Sequence, residues 1–197
     1  MKNVREYVDA DHEVMDAYYD LCEKYTGRNA KSTKLQLENL IEKDPDFLDS
    51  YTFLHEILFR EHKVEEAKKV LNEAYERAIK LITDENGKWP DVLKWSWLEN
   101  RHIIRAILNK AVLSWGANDI ECALDLFRKL LRTNPGDNPG VRFYILAIRM
   151  GISFKKFEKQ FNRDGFYHTD LFDWFEENYH KFPDEFDWWE KAVEEYE

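Results

Sequence analysis

Cysteine, proline and glycine are all scarce in this 197-residue chain, at two, five and seven copies. Cys22 and Cys122 stand far apart, without the paired spacing that builds zinc sites or disulfide frameworks, so both read as small buried apolar side chains. So few turn formers argue against a β-rich protein and for long helices. No stretch approaches the roughly 18 uninterrupted apolar residues of a membrane span, and Met1 to Glu6 leads into acidic residues with no apolar run behind it. A cytoplasmic protein with no membrane partner is expected. A basic stripe is lacking as well. Net charge is −10, and residues 161–197 carry twelve Asp/Glu against three Lys/Arg, a net of −9 that leaves −1 for residues 1–160. Binding through phosphates needs clustered cations that release counterions, so nucleic acid is not expected as a ligand.

What is present is helical periodicity. Apolar residues from Val4 through Tyr7, Val8, Val14, Met15, Tyr18, Leu21, Cys22 and Tyr25 recur at spacings of three, four and seven, which predicts one long helix ended by Thr26-Gly27. Further helices are expected from about Ser32 to Asp44, Phe47 to Glu61, Val64 to Ile82, Asp91 to Trp115, Asp119 to Arg132, and Pro139 to near Gly151, the last with Asn138 as its cap. Three shorter ones follow, at about Phe154–Asn162, Asp170–His180 and Asp184–Tyr196. No segment shows sustained period-two alternation.

An internal repeat lies within this pattern. Thr33, Leu37 and Pro45 share a spacing with Ala123, Phe127 and Pro135, and Ala67 and Leu71 fall 34 residues after the first set. Tyr51, Leu54, His55 and Leu58 fit the helix that precedes the second set, and Ile107, Lys110 and Ala111 fit the helix before the third more loosely. Small residues at such positions let helix axes approach to about 8–10 Å, and larger ones fill the groove beside them. The pattern resembles the tetratricopeptide repeat (TPR), over about residues 30–150, with a 22-residue insertion between the second and third sets. The stretches 98–106 and 134–142 are similar to an uncharacterised bacterial subgroup of that family. The resemblance implies an all-α fold of antiparallel helical pairs forming a short right-handed solenoid over residues 1–160, with residues 161–197 as an aromatic, acidic C-terminal helical cap of the same domain.

The family binds peptides or partner proteins on the face lined by the first helix of each pair. Carried onto this chain, that face takes Asp49, Thr52, Glu56 and Phe59, then Arg105, Leu108, Val112 and Trp115, with Arg142 and Arg149 following. The places where some members clamp a terminal carboxylate with Lys, Asn and Arg hold Thr52, Glu56, Leu108 and Val112, so that clamp is not expected. Arg101, Arg105 and Arg142 could fork onto a partner's carboxylate, or pair internally with Glu99 or Asp137. Twelve of the 37 residues from 161 onward are aromatic, and Trp188-Trp189 is either part of a buried cap or an anchor presented to a partner.

Catalytic motifs are thin. There is no Gly-rich phosphate loop, no H-E-x-x-H, no G-x-S-x-G and no CxxC. His12 with Asp9 and Asp16, or His55 with His62, could share a helix face, but each offers too few ligands for a metal site and reads as structural. No cofactor is expected. A protein-interaction module without catalytic activity is the leading expectation, with Glu56, Phe59, Arg101, Arg105, Trp115, Arg142, Arg149, Trp188 and Trp189 as candidate partner-binding residues. A metal-dependent hydrolase on a helical scaffold and a self-associating structural protein, such as a homodimer, are the alternatives.

Overall fold

The computed structural model describes residues 4–194. The expected end of the last helix at Tyr196 lies outside the described residues. The chain is mostly helical, in the order α1 (Met15–Lys24), α2 (Ala30–Lys43), α3 (Asp49–Arg60), α4 (Val64–Ile82), α5 (Arg101–Gly116), α6 (Ile120–Thr133), α7 (Val141–Arg149), α8 (Phe154–Phe161), α9 (Asp170–Asn178) and α10 (Pro183–Glu194). A two-stranded antiparallel hairpin, β1 (Asn162–Arg163) and β2 (Phe166–Tyr167), follows α8. Among the described residues, no helix is long and apolar enough to cross a membrane.

Two compact units are present. One takes the chain to Pro90 together with Ser96–Lys110, and the other takes Asp91–Trp95 together with the chain from Ala111 onward. The first half of α5 therefore belongs to one unit and its last turns to the other. The whole of the described chain from 161 onward lies in the second.

Three helix-to-helix connections use the same main-chain turn. Between α3 and α4, the His62 N–H donates to Phe59 O and the Lys63 N–H to Leu58 O. Between α5 and α6, Asn118 donates to Trp115 O and Asp119 to Ser114 O. Between α7 and α8, Gly151 donates to Ile148 O and Ile152 to Ala147 O. This paired bonding satisfies the open carbonyls at a helix end when the residue after it turns left-handed. His62, Asn118 and Gly151 do so, at φ of 61°, 64° and 70°.

Small buried residues recur at matching places in α2, α4 and α6. Thr33, Ala67 and Ala123 are fully buried, and so are Leu37, Leu71 and Phe127 one helical turn later. Asp44 and Asn134, each before a proline, share one conformation (φ −143°, ψ 88° and φ −142°, ψ 74°). Both lie outside the helical region, which a following proline disfavours, and α2 and α6 end in the same way.

The seventh helix begins at Val141 and not at Pro139, because Asp137 in place of Asn138 accepts its first N–H groups. Two other expected helices are shorter than their periodicity suggests. Val4 to Asp11 is extended, because its polar groups bond to distant residues in place of a helical ladder: Arg5 donates to Ile82 O, the Asp9 N–H to Asn100 Oδ1, and Asn100 Nδ2 to Tyr7 O. Residues 91–100 also lie outside α5, with the Leu93 N–H donating to Thr133 O and the Trp95 N–H to Asn134 Oδ1.

Candidate functional site

The densest polar cluster joins the extended N-terminal arm to α5. Asp9 sits at the centre: His102 Nε2 lies 3.0 Å from its Oδ2, and His12 Nε2 lies 3.3 Å from the same oxygen. Tyr7 Oη and the Ala10 N–H donate to the other oxygen, Oδ1. His12 Nδ1 is 2.8 Å from Asp44 Oδ2, so both of its ring nitrogens face carboxylates, an arrangement that suits a doubly protonated imidazolium. The bond to Asp9 and then the one to Asp44 outweigh burial and raise the His12 pKa to about 9. Burial works against ionisation of Asp9, but the bonds from His102 and His12 outweigh it and hold the carboxyl well below the usual carboxylate range.

Asp9, His12 and His102 bring three potential ligand atoms within 4.8 Å of one another. The hydrogen bonds assign those atoms other work. The Leu48 N–H donates to His102 Nδ1 at 3.0 Å, which places the ring proton on Nε2, where it is donated to Asp9. A metal at Nε2 would need that lone pair. The His102 ring is also sealed from solvent, at 1% exposure. The cluster is thus a buried charge-assisted network that fastens the arm to α2 and α5. Asp16, expected to join His12 on one helix face, begins α1 while Asp9 and His12 precede that helix. His55 and His62 do not converge either: His55 Nδ1 faces Ala67 O, and His62 forms the turn after α3.

Most of the candidate arginines are occupied by carboxylates of their own unit. Arg105 forks onto Asp49, which is buried, with Nε 2.7 Å from Oδ1. Arg142 bonds to Asp137 at 2.9 Å and lies 4.2 Å from the Phe143 ring centre, 5.4 Å from Phe175 and 5.5 Å from Trp189. The pairing with Asp137 weighed from sequence is present. Asp137 also accepts the Val141 and Arg142 N–H groups at the start of α7, while its burial pushes the carboxyl up to about 6. Arg101 is half-buried at the start of α5. Arg149 and Arg128 converge on Glu185, itself buried, and Arg149 also holds Asp184 at 2.7 Å.

The C-terminal aromatics divide between core and edge. Phe175 and Phe186 are fully buried, and Trp189, half-buried, donates its indole N–H to Pro135 O. Trp188 is half-buried, 5.9 Å from the Arg132 guanidinium. Trp115 is a core residue at 2% exposure, ringed by Phe127, Tyr144, Phe154 and Phe157, which removes it from any surface a partner could reach. On α3, by contrast, Phe59 is 51% exposed, with the exposed Glu56 on the preceding turn. Sequence reasoning missed His102, Asn100 and Asp44 as members of the polar cluster; they meet only through the fold, and no spacing marks them.

Comparison with known protein families, with curated proteins and with solved structures gives no match to this chain.

Proposed function

We propose that this chain is a cytoplasmic protein-interaction module of TPR-like helical pairs, and that α3 presents a peptide-docking or helix-docking face through Glu56 and Phe59. The observation that carries the reading is the burial of Thr33, Ala67 and Ala123 at equivalent places in α2, α4 and α6, the last two after the same main-chain turn. Equivalent helical pairs built on small residues are the architecture of repeat proteins, which act by offering extended surfaces to partners. On this reading the C-terminal segment is a cap: Glu185 is held by two arginines, Phe186 is buried, and Trp189 is bonded to Pro135. The arginines give little support to a carboxylate fork, since Arg105 and Arg142 are committed to Asp49 and Asp137. An apolar contact centred on half-exposed Phe59, beside the exposed Glu56–Arg60 ion pair, fits the surface better.

The test is affinity capture from the source cells with the full chain and with a Glu56→Lys, Phe59→Ala double variant whose circular dichroism matches it. Losing a central aromatic contact of about 2 kcal/mol lowers partner recovery roughly 30-fold at limiting bait. Equal recovery by both proteins contradicts this face, and absence of any saturable partner contradicts the proposed function.

A further inference from the structure

Helix α8 is divided sharply between its two sides. Phe157 and Phe161 are buried and Phe154 is half-buried against Trp115, while Lys155, Lys156, Lys159 and Gln160 are exposed. Other helices interleave acids with their surface bases, as in Glu65 with Lys68, Glu73 with Arg77, and Asp125 with Lys129. The outer side of α8 has none. Glu158, the acid within the helix, turns its carboxylate to Tyr167 Oη and Asn162 Nδ2. Arg163, just past the helix, donates to the main-chain carbonyls of Lys159 and Asn162. Among the described residues, none of these four cations has a carboxylate within ion-pairing distance. Residues 155–163 thus carry four cations against one acid in a chain whose net charge is −10.

The hairpin sets an aromatic anchor beside this charge. Asp164 and Gly165, at φ of 53° and 93°, make the tight turn, and Asn162 Oδ1 accepts from the Gly165 N–H. The turn lifts Phe166 into solvent at 80% exposure, the highest value among the described large apolar side chains. Tyr167 beside it lies against Phe157 and Tyr144, so the hairpin is anchored to the second unit and Phe166 projects from a held base.

We infer that α8 and the β1–β2 hairpin form a second docking surface, for an acidic segment of another protein that also carries an apolar residue. Carboxylates of that segment pair with Lys155, Lys156, Lys159 and Arg163, and its apolar side chain covers Phe166. Charge complementarity selects the occupant. Of the acids in this surface's own unit, Asp184 and Glu185 are held by Arg149 and Arg128. An anionic bilayer is a poorer fit, since inserting Phe166 would carry the Asp164 carboxylate toward hydrocarbon.

The test places the photo-crosslinker p-benzoylphenylalanine at position 166 of the full chain, irradiates it in source-cell lysate, and sequences the adducts by mass spectrometry. The expected adducts map to Asp/Glu-rich segments of other proteins. Their yield falls about tenfold between about 0.05 M and about 0.5 M salt, and about tenfold in a Lys155→Gln, Lys156→Gln, Lys159→Gln variant of unchanged circular dichroism. Adducts to lipid, to nucleic acid, to this chain itself or to segments without acid enrichment overturn the inference, as do salt-independent yield and the absence of any adduct. The same reagent at position 59 reports on the α3 face. Adducts that persist at 59 and vanish at 166 sink this surface alone, and the converse sinks only the α3 docking face.

Discussion

His12 shows how one side chain can hold a chain terminus in place. Its two ring nitrogens bridge Asp9 on the arm and Asp44 at the end of α2, and the imidazolium is favoured up to a pKa of about 9. Because this value is raised above the usual 6.5, the stability it contributes is fully present below pH 6.5 and is lost as pH climbs through 9. Asp9 has the opposite sense: its lowered pKa gives stability that is present above the ordinary 3.8 and fades as pH falls. The network therefore contributes most between these limits, at mildly acidic pH. His12→Gln is expected to cost about 2–3 kcal/mol at pH 6 and to flatten the loss of stability between pH 6.5 and 9. Urea titrations at several pH values measure this, and a variant that keeps the alkaline decline contradicts the assignment. Little of the network was legible in sequence. Asp9 and His12 were visible as neighbours with metal-ligand chemistry, but His102 lies 90 positions from His12, and Leu48 enters through its main-chain N–H.

At the scale of the element, the repeated turn explains what the sequence revealed and what it hid. The pattern of Thr33, Ala67 and Ala123 was readable because close helix packing demands small residues wherever it recurs, and the fold buries all three. Gly151 was readable as a helix stop, and its turn needs a positive φ. His62 adopts the same conformation with a Cβ, a weak preference of histidine that does not by itself mark a turn in sequence. Its N–H bond to Phe59 O and that of Lys63 to Leu58 O hold it there. Replacing His62 by Gly is expected to raise stability by about 1 kcal/mol, by relieving the left-handed cost, while Gly151→Ala lowers it by a similar amount. Thermal melts of the two single variants check this, and a destabilised His62→Gly protein would show that the imidazole contributes contacts beyond the turn. The misread elements have one cause. Residues 4–14 and 91–100 carry helix-like apolar spacing, yet Asn100, Thr133 and Asn134 take up their main-chain groups. Periodicity registers which side chains are apolar and is blind to such distant partners. The Asp164-Gly165 dipeptide was a hairpin signal of the kind that specifies a two-residue turn, overshadowed by the helix-like spacing of the aromatics around it.

Across the whole chain, the charge asymmetry of the sequence takes on structural meaning. The acidic C-terminal segment spends Asp184 and Glu185 on Arg128 and Arg149 within its own unit, and Trp189 on Pro135. Phe59 on α3 is half-exposed beside the Glu56–Arg60 ion pair, and Phe166 on the hairpin is exposed across the ladder from Arg163. The proposed role of the helical pairs is to present the α3 face to a partner protein. Hydrogen–deuterium exchange of the full chain, alone and saturated with the partner recovered by affinity capture, tests it most directly. The amides of Asp49–Arg60 are expected to slow by about tenfold or more on binding, with the Asp9–His12 arm unchanged. Protection that spares α3 and gathers elsewhere would contradict the claim.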